Sequence, residues 1–218
     1  MVHRQLEPQC DRRLRALRLS RDGRIAAQGW SGFSSNADGA RRLRVRVVDF
    51  DATWAKQFED ESSRILATLR EIDATCHHIG STAVPGLRAK PIIDMLLVVP
   101  SLSELDRQDE RMQGLGYQPM GELGIPGRRY YRKSDDRGDR SHQIHAFARG
   151  SVAIDRHLAF RDYLRSHSKV AQRYAVLKAE LAMQYPDDIE GYMAGKDAFI
   201  KEQEALALAW WTPRRPLT

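Results

Sequence analysis

The sequence predicts an α+β protein, a mixed sheet flanked by helices and followed by a C-terminal helical extension. Three observations predict it. The aliphatic run "IIDMLLVV" (Ile92–Val99) has the composition of a central strand covered on both faces. Shorter strand and helix patterns interleave around it between residues 45 and 151. From Ala153 to Trp211 nearly everything reads as helix, broken near Pro186-Asp187-Asp188.

Taken in order, "LRVRVVDFD" (Leu43–Asp51) alternates Val45 and Val47 with Arg44 and Arg46, which predicts a strand or edge segment. Asp51 then stands as N-cap to a helix whose apolar stripe is Trp54, Phe58, Ile65, Leu69 and Ile72. After the central strand, "SLSELDRQDERMQGLGYQPM" predicts one helix, capped at Ser101 or Ser103 and closed at Gly114 or Gly116. "GELGIPGRRYYRK" is a Gly/Pro loop running into a strand, "SDDRGDR" a polar hairpin tip, and "HQIHAF" a further strand. "YPDDIE" (Tyr185–Glu190) offers three acids, which a helix break accounts for as caps and turns better than as a metal cluster.

The domain reading is a basic N-terminal extension over 1–44, an α/β core over 45–151, a helical extension packed on it over 152–211 and a tail over 212–218. The formal charge of +6 is unevenly placed. Residues 1–46 hold 11 of the 35 Lys+Arg and 4 of the 29 Asp+Glu, so the remainder carries 24 basic against 25 acidic residues. A nucleic-acid groove across the core is therefore not expected. Cys10 and Cys76 show no metal or redox spacing and read as reduced bystanders of a cytoplasmic protein. No apolar run approaches the roughly 18 residues of a membrane span, and Met1–Ser20 lacks the apolar stretch of a secretory signal.

The chemistry concentrates between His78 and Asp94. Gly80 lets backbone approach a ligand closely, and Ser81 offers a hydroxyl and an amide to phosphate oxygens. Asp94, opening an otherwise apolar strand, needs a cation or a donor as partner. Mg²⁺ held with substrate phosphates is one such partner; Lys90, Arg129 or a backbone amide is another. The Gly80-Ser81 pair reads equally as a plain turn, and His78 equally as a structural histidine.

The string "HIGSTAVPGLRAKPIID" (His78–Asp94) resembles the GrpB-like family of the nucleotidyltransferase superfamily, which has a DNA polymerase β-like fold. The resemblance runs on through Gly116-Tyr117, "GIPGRRYYRK" (Gly124–Lys133), the His-containing strand, "FRDYLRSHSKVAQRYAVLKAELA" (Phe160–Ala182) and "YMAGKDAFI" (Tyr192–Ile200). It implies a nucleotidyltransferase-like core and metal-dependent transfer of a nucleotidyl group from a nucleoside triphosphate to a small acceptor. Mg²⁺ or Mn²⁺ would sit at Asp94 and His145, with Asp94, His145 and His78 as the catalytic groups. Phosphates would meet Gly80, Ser81, Lys90, Arg128 and Arg129, while Gln143, Arg161 and Arg165 would face the substrate side.

Two departures bear on the reaction. Active nucleotidyltransferases usually carry a second carboxylate two residues after the first, and here that position is Leu96. The family's His-x-His becomes Gln143 and His145, and His142 would lie on the opposite face from His145. A binding module for a phosphorylated ligand, or an enzyme of ligation or condensation chemistry in the same cleft, are the alternative readings. Alternation separates Arg128 from Arg129 without saying which faces the cleft. Arg161 and Arg165, at i,i+4, share a helix face suited to an anion or to solvent. Lys178 has some reach toward substrate, but it and Lys196 read chiefly as surface residues.

Overall fold

The computed structural model describes residues 45–212; the N-terminal extension and residues 213–218 lie outside the described residues. Helix α1 (Thr53–Thr68) leads into strand β1 (Thr75–Ile79), and a short 3₁₀ turn (Ser81–Ala83) precedes β2 (Ile93–Val99). Two short helices follow, α2 (Leu102–Asp106) and α3 (Asp109–Gly114), then β3 (Gln118–Pro119), β4 (Arg128–Ser134) and β5 (Arg140–Ala148). The chain closes with α4 (Val152–Ser166), α5 (Ser168–Gln184) and α6 (Ile189–Trp211).

The five strands form one mixed sheet in the order β1-β2-β5-β4-β3. β2 lies between an antiparallel β1 and a parallel β5, which explains its nearly unbroken apolar run. One face of the sheet meets α1, α2 and α3. There Trp54, Ile65 and Leu69 pack with Met95, Leu97, Ile144 and Ala146 in the main core. Each such buried side chain contributes roughly 1.5–3 kcal/mol relative to exposure. The other face meets α4, whose Ala153, Ile154 and Leu158 cover Ile79, Leu96, Val98 and Phe147. The helical extension is thus the third layer of the fold.

Two local expectations change. The described part of the segment before α1, from Val45 on, joins no strand of the sheet; Val48 makes a single bridge to Ala89. Val45 instead bonds Pro186 through its amide (2.7 Å) and packs on Leu181 and Tyr192, so its alternation serves the helical layer. The single helix predicted from Ser101 or Ser103 to Gly114 or Gly116 is two helices. The break lets Leu105 and Met112 both enter the core, while Asp106 and Asp109 turn toward Arg129 and Tyr131.

Candidate functional site

Gly80 stands at φ 71°, ψ −167°, a conformation open in practice to glycine alone. The reason lies across the turn, because a Cβ on Gly80 would come within 2.6 Å of Asp94 Oδ2. Pairing of Ile79 with Asp94 sets the carboxylate directly against this turn. Ser81 follows, its Oγ accepting a hydrogen bond from Lys178 Nζ at 2.9 Å.

Strand alternation sorts the neighbouring groups. Asp94 pairs in register with Gln143, Leu96 with His145, and His145 with Tyr130, so these side chains share one face, together with Arg128. Arg129, Lys133, His142 and Met95 belong to the other. A cleft of about 110 Å³ opens between this face and the helical layer. Its lining includes Gly80, Ser81, Lys90, Asp94, Arg128, Tyr130, Gln143 and His145 from the core, and Arg156, His157, Tyr174, Lys178, Tyr192 and Lys196 from the helices.

The electrostatics are lopsided. Lys178 is 2% exposed and Lys196 7%, a degree of burial unusual for lysine without a carboxylate partner. Lys178 donates to Ser81 Oγ and to the Arg88 carbonyl, and its ammonium lies 4.5 Å from the centre of the Tyr174 ring. Lys196 lies 4.5 Å from the centre of the Tyr192 ring, and Lys90 approaches the same ring at 5.6 Å. Burial first, then repulsion from Lys196 on Lys178 and from Lys90 on Lys196, pulls both lysines down to about 7, each partly offset by Asp94. Burial pushes Asp94 up to about 6 against the pull of Lys90, Lys196, Arg140 and Lys178. Among the described residues, no donor hydrogen-bonds the Asp94 carboxylate.

Beside this cluster sits a histidine pair. His145 and His157 lie 5.4 Å apart, ring centre to ring centre. Burial first, and Arg128 and Arg156 next, hold His145 down to about 3, so it is a neutral imidazole. Arg128 Nη1 lies 3.4 Å from His145 Nδ1, and the same guanidinium donates to the carbonyls of Glu122 and Leu123. Arg156 pairs with Glu204 at 2.9 Å.

This donor set does not fit a divalent metal. Asp94 is a lone carboxylate ringed by ammonium groups, and His145 faces two guanidiniums. Among the described residues no cluster of three or more His, Cys, Asp or Glu could hold an ion. Leu96 shares the face of Asp94 but lies fully buried beneath α4 with Ile79, Val98 and Phe147, where a second carboxylate would be stranded in an apolar cluster.

Several predicted site residues stand elsewhere. His78 points to the opposite face, stacked on Phe58 at 4.8 Å and bonded to Thr82 at 3.0 Å; burial, then Arg165 and Arg161, lowers it to about 4. Arg129 is held by Asp106 in a two-pronged pair of 2.6 and 2.8 Å, so Arg128 is the member facing the cleft. Arg161 donates to the His78 carbonyl (3.1 Å) and Arg165 to that of Ala83 (2.8 Å), with Asp162 between them. They clamp the Gly80-Ser81 turn from outside, because two carbonyls and a carboxylate there satisfy both guanidiniums.

Lys178 and Lys196, read from sequence as surface residues, are the main correction. A signal for them exists. Tyr174 and Lys178 stand four residues apart on α5, as do Tyr192 and Lys196 on α6, so each lysine overlies its own tyrosine. Gly191 and Gly195 keep the same spacing. A Cβ at Gly195 would strike Leu181 at 2.3 Å, so Gly195 lets α6 press on α5 and bring Lys196 into the cleft, while Gly191 leaves room for Asp188 and Tyr185 at the turn before α6.

With this geometry in view, comparison with known proteins gives the family. The family model described as "GrpB protein" matches residues 44–205. The crystal structure of conserved protein GrpB from Enterococcus faecalis is 42% identical, with a TM-score of 0.72, covering 76% of this chain and 99% of that one. UPF0157 protein YqkA of Bacillus subtilis is 45% identical over 78% of this chain. UPF0157 protein PA4798 of Pseudomonas aeruginosa is 38% identical over 85% of this chain and 74% of its own length. The chain spans 49% of the length of YqkA. The Cid1 poly(U) polymerase aligns with a TM-score of 0.46 at 16% identity, too slight a likeness to carry an argument. The chain belongs to the GrpB family.

Proposed function

From that membership and the cleft, we propose that this protein binds a phosphorylated small molecule of the nucleotide class between its sheet and its helical layer. One observation carries the reading. Lys90, Lys178 and Lys196 converge on a single carboxylate beside a Gly-Ser turn. Buried ammonium groups outnumber the acid, and a polyanionic ligand supplies the missing charge. Phosphate oxygens would accept hydrogen bonds from Ser81 Oγ and the three ammonium groups, while Leu123, Ile125 and Met193 offer apolar surface to the organic part.

The test is thermal unfolding of wild type against ATP, GTP, CTP, UTP, inorganic tripolyphosphate and the unphosphorylated nucleosides. A ligand present at a hundred times its Kd stabilises by about 2.7 kcal/mol, a shift of roughly 5–10 °C for a chain of this size. The reading expects that shift with phosphorylated compounds and none with nucleosides. No shift with any phosphate would overturn it.

Nucleotidyl transfer is a second reading, favoured by the state of Asp94. A carboxylate raised to about 6, with no donor bonded to it among the described residues, is suited to take a proton from an acceptor hydroxyl. The acceptor oxygen would then bond the α-phosphorus, pyrophosphate would leave, and the proton would stay on Asp94 until released to water. Pyrophosphate release from any of the four triphosphates, lost in Asp94→Asn, would support this; its absence across a broad panel of hydroxyl acceptors would restrict the cleft to binding.

A further inference from the structure

The opposition between this donor set and a divalent metal has a positive side. We infer that the cleft takes its phosphate ligand as the free anion, the ammonium groups of Lys178 and Lys196 standing where phosphate-handling sites commonly place a metal ion. The inference rests on the phosphate-binding reading above and goes further, since that reading holds equally for a metal complex.

Three features carry it. First, both ammonium groups are held in place. Lys178 spends two of its three N–H donors on Ser81 Oγ and the Arg88 carbonyl, which leaves the third for a ligand. Lys196 is fixed over Tyr192 on a helix pressed against α5 by Gly195. Fixed donors aimed at a phosphate do without the reorganisation that a hydrated metal would need. Second, these acceptors are neutral: a hydroxyl, a carbonyl and two aromatic rings. These contacts therefore neutralise none of the lysines' charge; Asp94 alone offsets it in part, and the remainder is available to an anion. Third, a metal entering here would meet a single carboxylate, the fewest a Mg²⁺ site uses with its phosphates, and three ammonium groups that repel a dication. Position 96, where a second acid would stand, is closed by the apolar packing of Leu96 under α4.

The ligand class follows: a phosphate monoester or polyphosphate in its metal-free form, discriminated from its Mg²⁺ complex by charge. A Mg²⁺-bound triphosphate presents two fewer negative charges to the lysines and a dication to their ammonium groups.

The experiment is calorimetric titration of wild type with ATP and with tripolyphosphate, in EDTA and in excess MgCl₂. The expected result is binding in EDTA and at least tenfold weaker binding in MgCl₂, as the free anion is depleted. Lys196→Met should lower the affinity in EDTA at least tenfold and Lys196→Arg should restore much of it, with both variants folded by circular dichroism. Mn²⁺ titrated alone should not bind, by its effect on water proton relaxation. Binding that requires Mg²⁺, or Mn²⁺ binding lost in Asp94→Asn, would overturn the inference and leave the phosphate-binding reading standing. No binding of either anion in either condition would overturn both.

Discussion

The two faces of one sheet handle charge in opposite ways. On the face covered by α1–α3, buried cations pair with carboxylates. Lys133 reaches Glu61 at 2.7 Å with both side chains largely buried, and Arg129 grips Asp106. On the face covered by α4–α6, Lys178, Lys196 and Arg128 bond carbonyls, a hydroxyl and an imidazole or lie on rings, while Asp94 lacks a donor among the described residues. The strands are the same; alternate residues supply the two faces. Paired charge marks the face that holds the fold together. On the other face Arg156 has Glu204, but among the described residues Lys178, Lys196 and Arg128 have no carboxylate bonded to them, and there the proposed ligand would bind.

The sharpest contrast comes from removing one lysine on each side. Lys133→Met removes the nearer partner of the buried Glu61, leaving it only Arg64 at 3.3 Å, and should cost about 3 kcal/mol. A protein of this size then melts roughly 6–12 °C lower. Lys196→Met removes an unpaired buried charge and should leave the melting temperature of the free protein unchanged or raised. Equal losses in the two variants would break the comparison.

The next effect is smaller. Gly80→Ala forces a side chain into a glycine-only conformation and against Asp94, which should cost roughly 1–3 kcal/mol. Chemical denaturation would register it, along with weakened binding of tripolyphosphate. A neutral outcome on both counts would mean that the turn does not shape the site.

A pH series sharpens the account of the cleft. Lys178 and Lys196 titrate near 7 in the free protein, and Asp94 near 6. Because the lysines' folded values lie below their ordinary value, the free protein gains stability as pH rises from about 7 toward 10. Anion affinity runs the other way, being strongest where the lysines are protonated and weakening as they lose protons. Tripolyphosphate binding should fall by roughly tenfold per lysine across the window from about pH 6.5 to 8.5, with the double variant Lys178→Met/Lys196→Met as the flat control. The smallest effect is chemical. Burial pushes the Cys76 thiol up to about 12, so it should resist alkylation at neutral pH until the protein unfolds, as peptide mapping would show.

Much of this was legible in the residues. The apolar run around Asp94 reads directly as the central strand, and the period of two places Gln143 and His145 on one face with His142 on the other, as the register has it. Alternation alone separates Arg128 from Arg129 but is symmetric, and only the Asp106 partner on α2 breaks the tie. His78 sits next to the glycine turn in sequence, yet one residue of strand turns it to the other face. Lys178 and Lys196 were misread because a lysine on an amphipathic helix is ordinarily solvated. Their burial follows from how α5 and α6 pack, which the paired Tyr-x-x-x-Lys spacing and the glycines of α6 encode only in combination. Arg161 and Arg165 share a face as expected, but the carbonyls they meet come from a turn more than 80 residues away.

The most direct test of the central claim is a crystal structure grown with tripolyphosphate in the presence of EDTA. The account predicts phosphate density within hydrogen-bonding distance of Lys178 Nζ, Lys196 Nζ and Ser81 Oγ. Phosphate density elsewhere on the protein, with these three groups arranged as in the free state, would contradict it.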